Sequence, residues 1–423
     1  MNLSMTAKDA TGLSRSEQKA LLLQALSGLP AKRVLLLPPD ITRFHSGTGY
    51  LTEEAYLYYT AQGAEVDVMP ALGTHAPMTD EEISVMFGRI PKDRFFVHKW
   101  RTDTVPVGEA PTDFVSEVTE GLWKEPVTFT VNRRLLDLSY DLILSLGQVV
   151  PHEVIGMSSH AKNIFVGTGG EKIIHTSHMI GAVYGLERMM GRDHSPVRKI
   201  FDYGMEHFLA DRPIVFVLTV ATAPQGKPLV HGLFIGHGRQ CLTDAVALAQ
   251  KTNIDFVEHG LKKCVVYLQP DEYHSTWLGN KSIYRTRMAM ADGGELIVLA
   301  PGVRHFGENP EADALIRKYG FRGRLETLKA YSENEDLRAN ASVAAHLIHG
   351  STDGRFSITY AVREVSPAEV EALGFKGARY EDLAKIYDPE KLHYGYNTVN
   401  GEEIYYVPNP SIGLWINRET FTP

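Results

Sequence analysis

The feature of this sequence that most restricts its fold is a repeated order of apolar strand, polar loop and helix. Residues 33–37, 64–70 and 140–150 form short apolar runs that are typical of buried strands, and a polar loop follows each run. Amphipathic helix patterns accompany them, such as residues 14–28, which begin near a serine and end at a glycine. This alternation predicts a mostly parallel sheet with helices on both faces.

A second series of the same kind begins near residue 262. Between the two series, residues 213–237 are typical of a hairpin whose strands are joined by a Pro-Gly turn. A chain of 423 residues is too long for one ordinary core. We therefore predict two α/β domains with mainly parallel sheets, namely residues 1–260, completed by about 404–423, and residues 261–403.

The composition argues against several classes of partner. The net charge is −8 and the isoelectric point is about 6.1, whereas nucleic acids and anionic membranes attract clustered basic faces. The sequence has no apolar run long enough to span a bilayer, and its N-terminus lacks the pattern of a secretory signal. Two cysteines, Cys241 and Cys264, are too few for a disulfide framework or a thiolate metal site. We expect a cytoplasmic protein with no nucleic-acid or membrane partner.

Polar residues follow each of the first three predicted strands. Asp40 and Arg43 come after the first strand, His75 after the second and His152 after the third. Ligands of open α/β sheets bind beyond the carboxyl ends of the strands, so these loops are expected to share one crevice. Neutral imidazoles are suited to acid and base catalysis. Asp40 and Arg43 form either a local ion pair or a clamp for a hydroxyl and an anionic group.

The segment from residue 151 to residue 178 concentrates histidines around a lysine and a glycine-rich turn. Lys162 is a candidate for a surface charge, a phosphate partner or a point of covalent attachment. The motif HTSH, residues 175–178, places two imidazoles on one face of a helix, where they either bind a metal or face solvent. We expect His160 and His175 to have supporting or structural roles.

Taken together, these motifs resemble the lactate racemase (LarA-like) family of nickel-pincer-nucleotide enzymes. The matching segments are PPDITR (38–43), LGTHAPMTDEE (72–82), PHEVIGMSSHAKNIFVG (151–167), HTSH (175–178) and NKSIYRTRMAMADGGELIVLAPG (280–302). The family has a base histidine ten residues before its cofactor lysine and a nickel-binding histidine sixteen residues after it. The same intervals occur here between His152, Lys162 and His178.

The resemblance implies a cofactor and its attachment. Pyridinium-3-thioamide-5-thiocarboxylic acid mononucleotide, the nickel-pincer nucleotide, would be bound covalently to Lys162, and His178 would be the protein ligand of the nickel. Asp40 and Arg43 match the family's pair of residues near cofactor and substrate. Cofactor-maturation enzymes are then implied as partners, and the scarcity of cysteine is explained because the sulfur ligands belong to the cofactor.

The resemblance also implies the reaction. The protein would be an isomerase that inverts C2 of a 2-hydroxy acid by reversible hydride transfer to the cofactor, with His75 and His152 as the acid and base. Arg43 and Lys281 would complete the catalytic residues, and the active site would lie in the interdomain cleft.

The substrate stays open at this stage. Trp277 and Leu278 stand where lactate-active members have Tyr-Gln, and the region around Leu337 lacks the tryptophan of those members. Arg285 and Arg287 are either helix-surface charges or contacts for an additional polar group, so a dicarboxylic hydroxy acid or an aldonic acid is at least as good a candidate as lactate. Two other readings remain: a zinc-dependent hydrolase that uses the histidine cluster, and a non-catalytic nucleotide- or metal-binding protein.

Overall fold

The chain folds into two compact units. The computed structural model describes residues 2–224, 227–411 and 413–422. The first unit contains residues 1–180 and 189–253, and the second contains residues 181–188 and 254–423. Each unit has a mainly parallel sheet, which confirms the predicted α/β class with two sheet-containing domains.

The first part of the chain contains alternating strands and helices. The strands are β1 (Asn2–Thr6), β2 (Arg33–Leu37), β3 (Glu65–Val68), β4 (Thr104–Ala110), β5 (Val127–Asn132), β6 (Leu142–Gln148), β7 (Pro151–His152), β8 (Gly156–Met157), β9 (Ile214–Thr222) and β10 (Leu229–Gly236). The helices are α1 (Arg15–Ser27), α2 (Thr48–Ala61), α3 (Asp80–Phe87), α4 (Thr112–Val118), α5 (Glu171–Tyr184), α6 (Leu186–Met189), α7 (Pro196–Phe208) and α8 (Arg239–Thr252). α1 begins at the predicted serine, because the Ser14 hydroxyl and the Glu17 carboxylate cap its first turn reciprocally.

The main sheet of the first unit has the strand order β1-β10-β9-β6-β2-β3. β3, β2, β6 and β9 are parallel, and β10 and β1 continue the sheet in antiparallel orientation. Alternate side chains of β2 enter opposite cores, with Leu35 and Leu37 on one face and Val34 and Leu36 on the other. Because both faces of the sheet are covered by apolar side chains, polar groups concentrate in the loops at the strand ends.

The second unit contains a second mainly parallel sheet. Its strands are β11 (Asp255–Val257), β12 (Leu261–Tyr267), β13 (Met290–Ala300), β14 (Ser357–Val362), β15 (Lys376–Arg379), β16 (Gly395–Val399), β17 (Glu402–Val407) and β18 (Trp415–Asn417). Its helices are α9 (Thr276–Gly279), α10 (Lys281–Thr286), α11 (Pro310–Tyr319), α12 (Arg324–Glu333), α13 (Glu335–Ala339), α14 (Ala341–His349), α15 (Pro367–Ala372) and α16 (Tyr380–Ala384). The sheet order is β15-β14-β13-β12-β17-β16, in which only the pairing of β16 with β17 is antiparallel among the described strands.

The C-terminal tail differs from the sequence-based prediction. Residues 404–423 were expected to complete the first domain, but β17 pairs with β12, and β18 pairs with β11, which was predicted in the first domain but also belongs to the second unit. The backbone of β17 pairs with a strand of the second sheet, so the tail belongs to the second unit.

The predicted hairpin is present. β9 and β10 pair in antiparallel orientation, although the Pro-Gly turn between them includes residues 225–226, which lie outside the described residues. Over the part of the chain that the structure describes, no helix combines the length and apolar character needed to cross a membrane.

Candidate active site

The candidate site is located at the carboxyl ends of three neighbouring strands in the first unit. β3, β2 and β6 are adjacent and parallel, so the loops that follow them begin at the same edge of the sheet. Asp40 and Arg43 follow β2, and His75 follows β3. His152 lies in β7, the strand after β6. The structure therefore places the predicted loops at the edge where open α/β sheets bind ligands.

His75 is held by a buried carboxylate. Its Nδ1 lies 2.6 Å from Oδ2 of Asp40, and 57% of the His75 side chain is exposed. Burial opposes the negative charge of Asp40, but hydrogen bonds from His75 and Thr42 outweigh this effect and hold the pKa of Asp40 below its ordinary value. An ionised Asp40 accepts the proton on Nδ1, so Nε2 of the neutral His75 ring is left to accept a proton from a ligand.

Arg43 does not neutralise Asp40. Among the described residues, no ion pair joins the two side chains, so the local ion pair considered from the sequence is absent there. Arg43 lies in the 3₁₀ turn Ile41–Ser46, and its positive charge acts on the amine of Lys162. The guanidinium is therefore a cation of the site with no carboxylate assigned to it in the described structure.

His152 is held by the backbone in a small hairpin. β7 and β8 pair in antiparallel orientation, and only 9% of the His152 side chain is exposed. The backbone N–H of Val154 donates to Nδ1 of His152 at 3.2 Å, and a carboxylate oxygen of Glu153 lies 3.8 Å from the same atom. Ser158 anchors the hairpin to the end of β6, because its hydroxyl donates to the carbonyl of Gln148. This ring is buried and fixed, in contrast to the exposed ring of His75.

The backbone around Lys162 is strained on one side and anchored on the other. Ser159 and His160, which precede it, both adopt left-handed angles, with φ of 70° and 58°. Asn163, which follows it, donates hydrogen bonds from its side-chain amide to carbonyl groups of β2 and β6, at 3.3 and 2.9 Å. A π-helical turn then extends from Asn163 to Gly167, a rare conformation that is common at functional sites.

The amine of Lys162 has an unusual electrostatic environment. Burial lowers the pKa of Lys162 to about 8, and the charge of Arg43 acts in the same direction. Glu153 and Asp40 oppose the shift, and Arg198 adds to it. An amine with this pKa is partly neutral at physiological pH, which is the form that acts as a nucleophile.

His178 lies near Lys162 on helix α5. Its Nδ1 lies 2.6 Å from the carbonyl of Ile174, one turn earlier in the helix, and therefore donates its proton there. Burial lowers the pKa of His178 to about 4, and the charge of Lys162 contributes to this shift. The ring is therefore neutral at physiological pH, and its Nε2 carries the lone pair that a metal ion requires.

The two remaining histidines of the segment have apolar neighbours. The His160 ring is buried and its centroid lies 3.8 Å from that of Phe216. His175 lies edge-on to Trp100, with 6.2 Å between the ring centroids. The supporting roles expected for His160 and His175 stay predictions.

The second unit contains the other residues considered from the sequence. Lys281 begins α10, and its Nζ lies 6.0 Å from the ring centroid of Tyr273. Arg285 and Arg287 are buried rather than helix-surface charges. Nε of Arg287 lies 2.7 Å from Oε1 of Glu187, and Nη1 of Arg285 donates to a backbone carbonyl. The surface reading of these two arginines is therefore wrong, and the role of Lys281 stays a prediction.

Sequence reasoning missed three residues that surround Lys162. The side chain of Asn163 anchors the backbone next to Lys162, and the charges of Glu153 and Arg198 act on its amine. Arg198 also donates to the carbonyl of Ser159, which precedes Lys162. The first two are sequence neighbours of predicted site residues and could have been considered for that reason. Arg198 lies on helix α7, and no sequence pattern connects it with the lysine.

Comparisons with known proteins agree with this architecture. Residues 22–189 match the family profile of the lactate racemase N-terminal domain. A crystal structure of a Thermotoga maritima protein superposes with a TM-score of 0.80 at 23% identity, covering 97% of this chain and 99% of that one. The lactate racemase apoprotein from Thermoanaerobacterium thermosaccharolyticum superposes with a TM-score of 0.69 at 15% identity, covering 96% and 89% respectively. No curated protein sequence matches the chain.

The two sequence-distant structures establish the fold as that of a two-unit α/β protein. The family match covers the segment that contains His75, His152, Lys162 and His178. The chain is therefore similar to the lactate racemase N-terminal domain over residues 22–189, and it shares the fold of the two solved structures.

Proposed function

We propose that this protein is a racemase or epimerase that inverts C2 of a 2-hydroxy acid. The proposal assigns Lys162 as the attachment point of a nickel-pincer nucleotide, His178 as a nickel ligand, and His75 and His152 as acid and base. It is supported by the family match and by the local chemistry of these side chains.

The observation that carries the proposal is the pairing of a nucleophilic amine with a metal-competent imidazole. Burial lowers the pKa of the Lys162 amine to about 8, and no hydrogen bond to the amine is found within the described residues. His178 interacts electrostatically with that amine and directs Nδ1 to a helix carbonyl, which leaves Nε2 for a metal. The two side chains therefore fit a group that is attached through an amide-type bond and contains a metal.

The chain's own residues would transfer protons and stabilise charge. In one direction, Nε2 of His75 accepts the proton of the C2 hydroxyl, and the ionised Asp40 stabilises the imidazolium that results. His152 is the corresponding acid or base for the other enantiomer. The bound cofactor would supply the two-electron acceptor for chemistry at C2.

The substrate's carboxylate requires cations at the site. Arg43 is suited to this task, because a guanidinium can hold a carboxylate through two parallel hydrogen bonds and this one has no carboxylate partner among the described residues. We also propose Lys281 as a catalytic residue, and we propose that lactate and larger hydroxy acids be tested together.

A zinc-dependent hydrolase has less support. Catalytic zinc usually has three protein ligands, and the described residues contain no group of three histidine, cysteine or acidic side chains that could hold a metal ion.

The decisive experiment is intact-mass analysis of protein produced in a nickel-replete host that contains the cofactor-making enzymes. We expect a covalent adduct that is lost in Lys162→Ala and retained in Lys172→Ala, which removes an exposed lysine of helix α5. The same preparations should be assayed for loss of optical purity with a panel of 2-hydroxy acids. Active enzyme with an unmodified Lys162 would eliminate the proposal, and bound zinc without an adduct would favour the hydrolase.

A further inference from the structure

Arg198 is an unusual residue for a protein core. Its side chain is fully buried, and within the described residues no carboxylate forms an ion pair with it. All of its hydrogen bonds there go to main-chain carbonyls: Nη2 donates to Met157 at 2.6 Å, and Nη1 and Nη2 donate to Ser159 at 3.4 and 3.3 Å. Asp202 and Asp193 act on its charge without forming an ion pair with it, but burial outweighs them and lowers the pKa of Arg198, so this arginine requires an explanation beyond core packing.

The carbonyl of Ser159 connects Arg198 with Lys162. It accepts the two guanidinium hydrogen bonds and also the backbone N–H of Lys162, at 3.3 Å. Ser159 itself is in a left-handed conformation, which is unfavourable for a residue other than glycine. Three donors on one carbonyl oppose relaxation of this bend.

Helix α7 supplies this arginine from a fixed position. The Ser195 hydroxyl caps the helix by accepting the backbone N–H of Arg198, and the same hydroxyl donates to the carbonyl of Ile155 in the hairpin. The start of α7 is therefore tied to the hairpin at Ile155, Met157 and Ser159, all of which precede Lys162.

We propose that Arg198 is a positioning residue for Lys162: it clamps the carbonyls of the preceding bend and so directs the amine toward the group that becomes attached to it. The inference rests on the proposed function of Lys162 as the tether. On the other side of the lysine, Asn163 provides the second anchor through its amide hydrogen bonds. The charge of Arg198 is also one of the lesser contributions that lower the pKa of Lys162, after burial and Arg43.

The test is competitive acetylation of the apoprotein with a small reagent, acetic anhydride, followed by peptide mass spectrometry. The rate at Lys162 is measured relative to the exposed Lys172 of the same molecule, at a pH where both amines are largely neutral. Arg198→Met removes the donors but keeps an unbranched side chain, and we expect it to slow acetylation of Lys162 about tenfold relative to Lys172. Arg198→Lys retains a donor and a charge, and we expect an intermediate rate.

The matched control is Arg212→Met. Arg212 also donates to a main-chain carbonyl, that of Asp137, but it does not contact the bend. We expect this variant to lower the midpoint of thermal unfolding to a similar extent while the relative rate at Lys162 stays unchanged. If Arg198→Met or Arg198→Lys folds and Lys162 retains its wild-type relative rate, or if Arg212→Met slows it equally, the positioning role is wrong. The acetylation rate is measured without the cofactor, so it can reject the positioning role of Arg198 independently of the adduct experiment, which tests the attachment at Lys162.

Discussion

His75 lies in a loop and His152 lies in a hairpin, and their imidazole rings differ in exposure and in hydrogen-bond partner. His75 is 57% exposed and its Nδ1 is bound to a carboxylate oxygen of Asp40 at 2.6 Å. The His152 side chain is 9% exposed and its Nδ1 accepts a backbone N–H. These partners favour different tautomers of the neutral rings, with the proton on Nδ1 in His75 and on Nε2 in His152.

The difference shows how two histidines at one sheet edge can have complementary roles. Nε2 of His75 is available as a proton acceptor, whereas Nε2 of His152 can accept a proton only after Nδ1 gives up the Val154 N–H and takes the ring proton, with the Glu153 carboxylate 3.8 Å away. The first ring depends on one charged partner and is largely exposed to solvent. The second depends on a rigid hairpin, so the two regions should respond differently to substitution.

The largest expected effect concerns the charged partner of His75. In the loaded enzyme, Asp40→Asn should lower kcat by about 10²- to 10⁴-fold, because an amide no longer stabilises the imidazolium or selects the tautomer. The measurement is the initial rate of loss of optical purity, with the adduct quantified by intact mass. A wild-type kcat in a fully loaded Asp40→Asn variant would show that His75 does not need this carboxylate.

The rigidity of the hairpin is tested at Gly156. A Cβ at this position would lie 2.1 Å from the carbonyl oxygen of Arg192, and φ is 87°. We expect Gly156→Ala to lower the free energy of unfolding by about 3 kcal/mol, since overpacking against backbone adds to the strain of a left-handed residue. The measurement is urea denaturation of the apoprotein.

Gly73, in the loop of His75, is the matched control. Its φ is 57°, but an added Cβ would lie 3.4 Å from the nearest atom, the carbonyl oxygen of Val166. Gly73→Ala should therefore cost only about 1 kcal/mol, from backbone strain alone. If Gly156→Ala and Gly73→Ala lower the free energy of unfolding equally, the hairpin is not packed more tightly than the loop.

A smaller effect of opposite sign is expected at Lys162. Burial lowers its pKa from 10.5 to about 8, so below pH 8 the folded protein contains a poorly solvated charge. Lys162→Met should stabilise the apoprotein by about 2–3 kcal/mol at neutral pH. Between the two pKa values the unfolded chain binds a proton that the folded chain does not, so wild-type stability rises with pH and the advantage of the variant declines.

The pH dependence is measured by denaturation at neutral pH and above pH 10.5, with Lys172→Met as the exposed control. An advantage of Lys162→Met that is the same at both pH values would indicate better packing rather than relief of a buried charge.

The sequence was sufficient for much of the fold because its patterns are local. The apolar runs of β2, β3 and β6 identify buried strands, and the serine before α1 identifies a helix start. The C-terminal tail was misassigned because pairing of β17 with β12 joins residues far apart in the chain. The sequence left open whether Arg285 and Arg287 are surface charges, because the pattern of a short helix does not show which charged side chains tertiary packing will bury.

By itself, the sequence determined that Asp40, Arg43, His75 and His152 follow buried strands, and parallel strands bring such loops to one edge of a sheet. Only the tertiary structure decided that Asp40 binds His75 instead of Arg43, and that Arg198 reaches the bend before Lys162. The physical reason is that hydrogen bonds between distant segments depend on how helices and loops pack against the sheet, and a local pattern does not encode that packing.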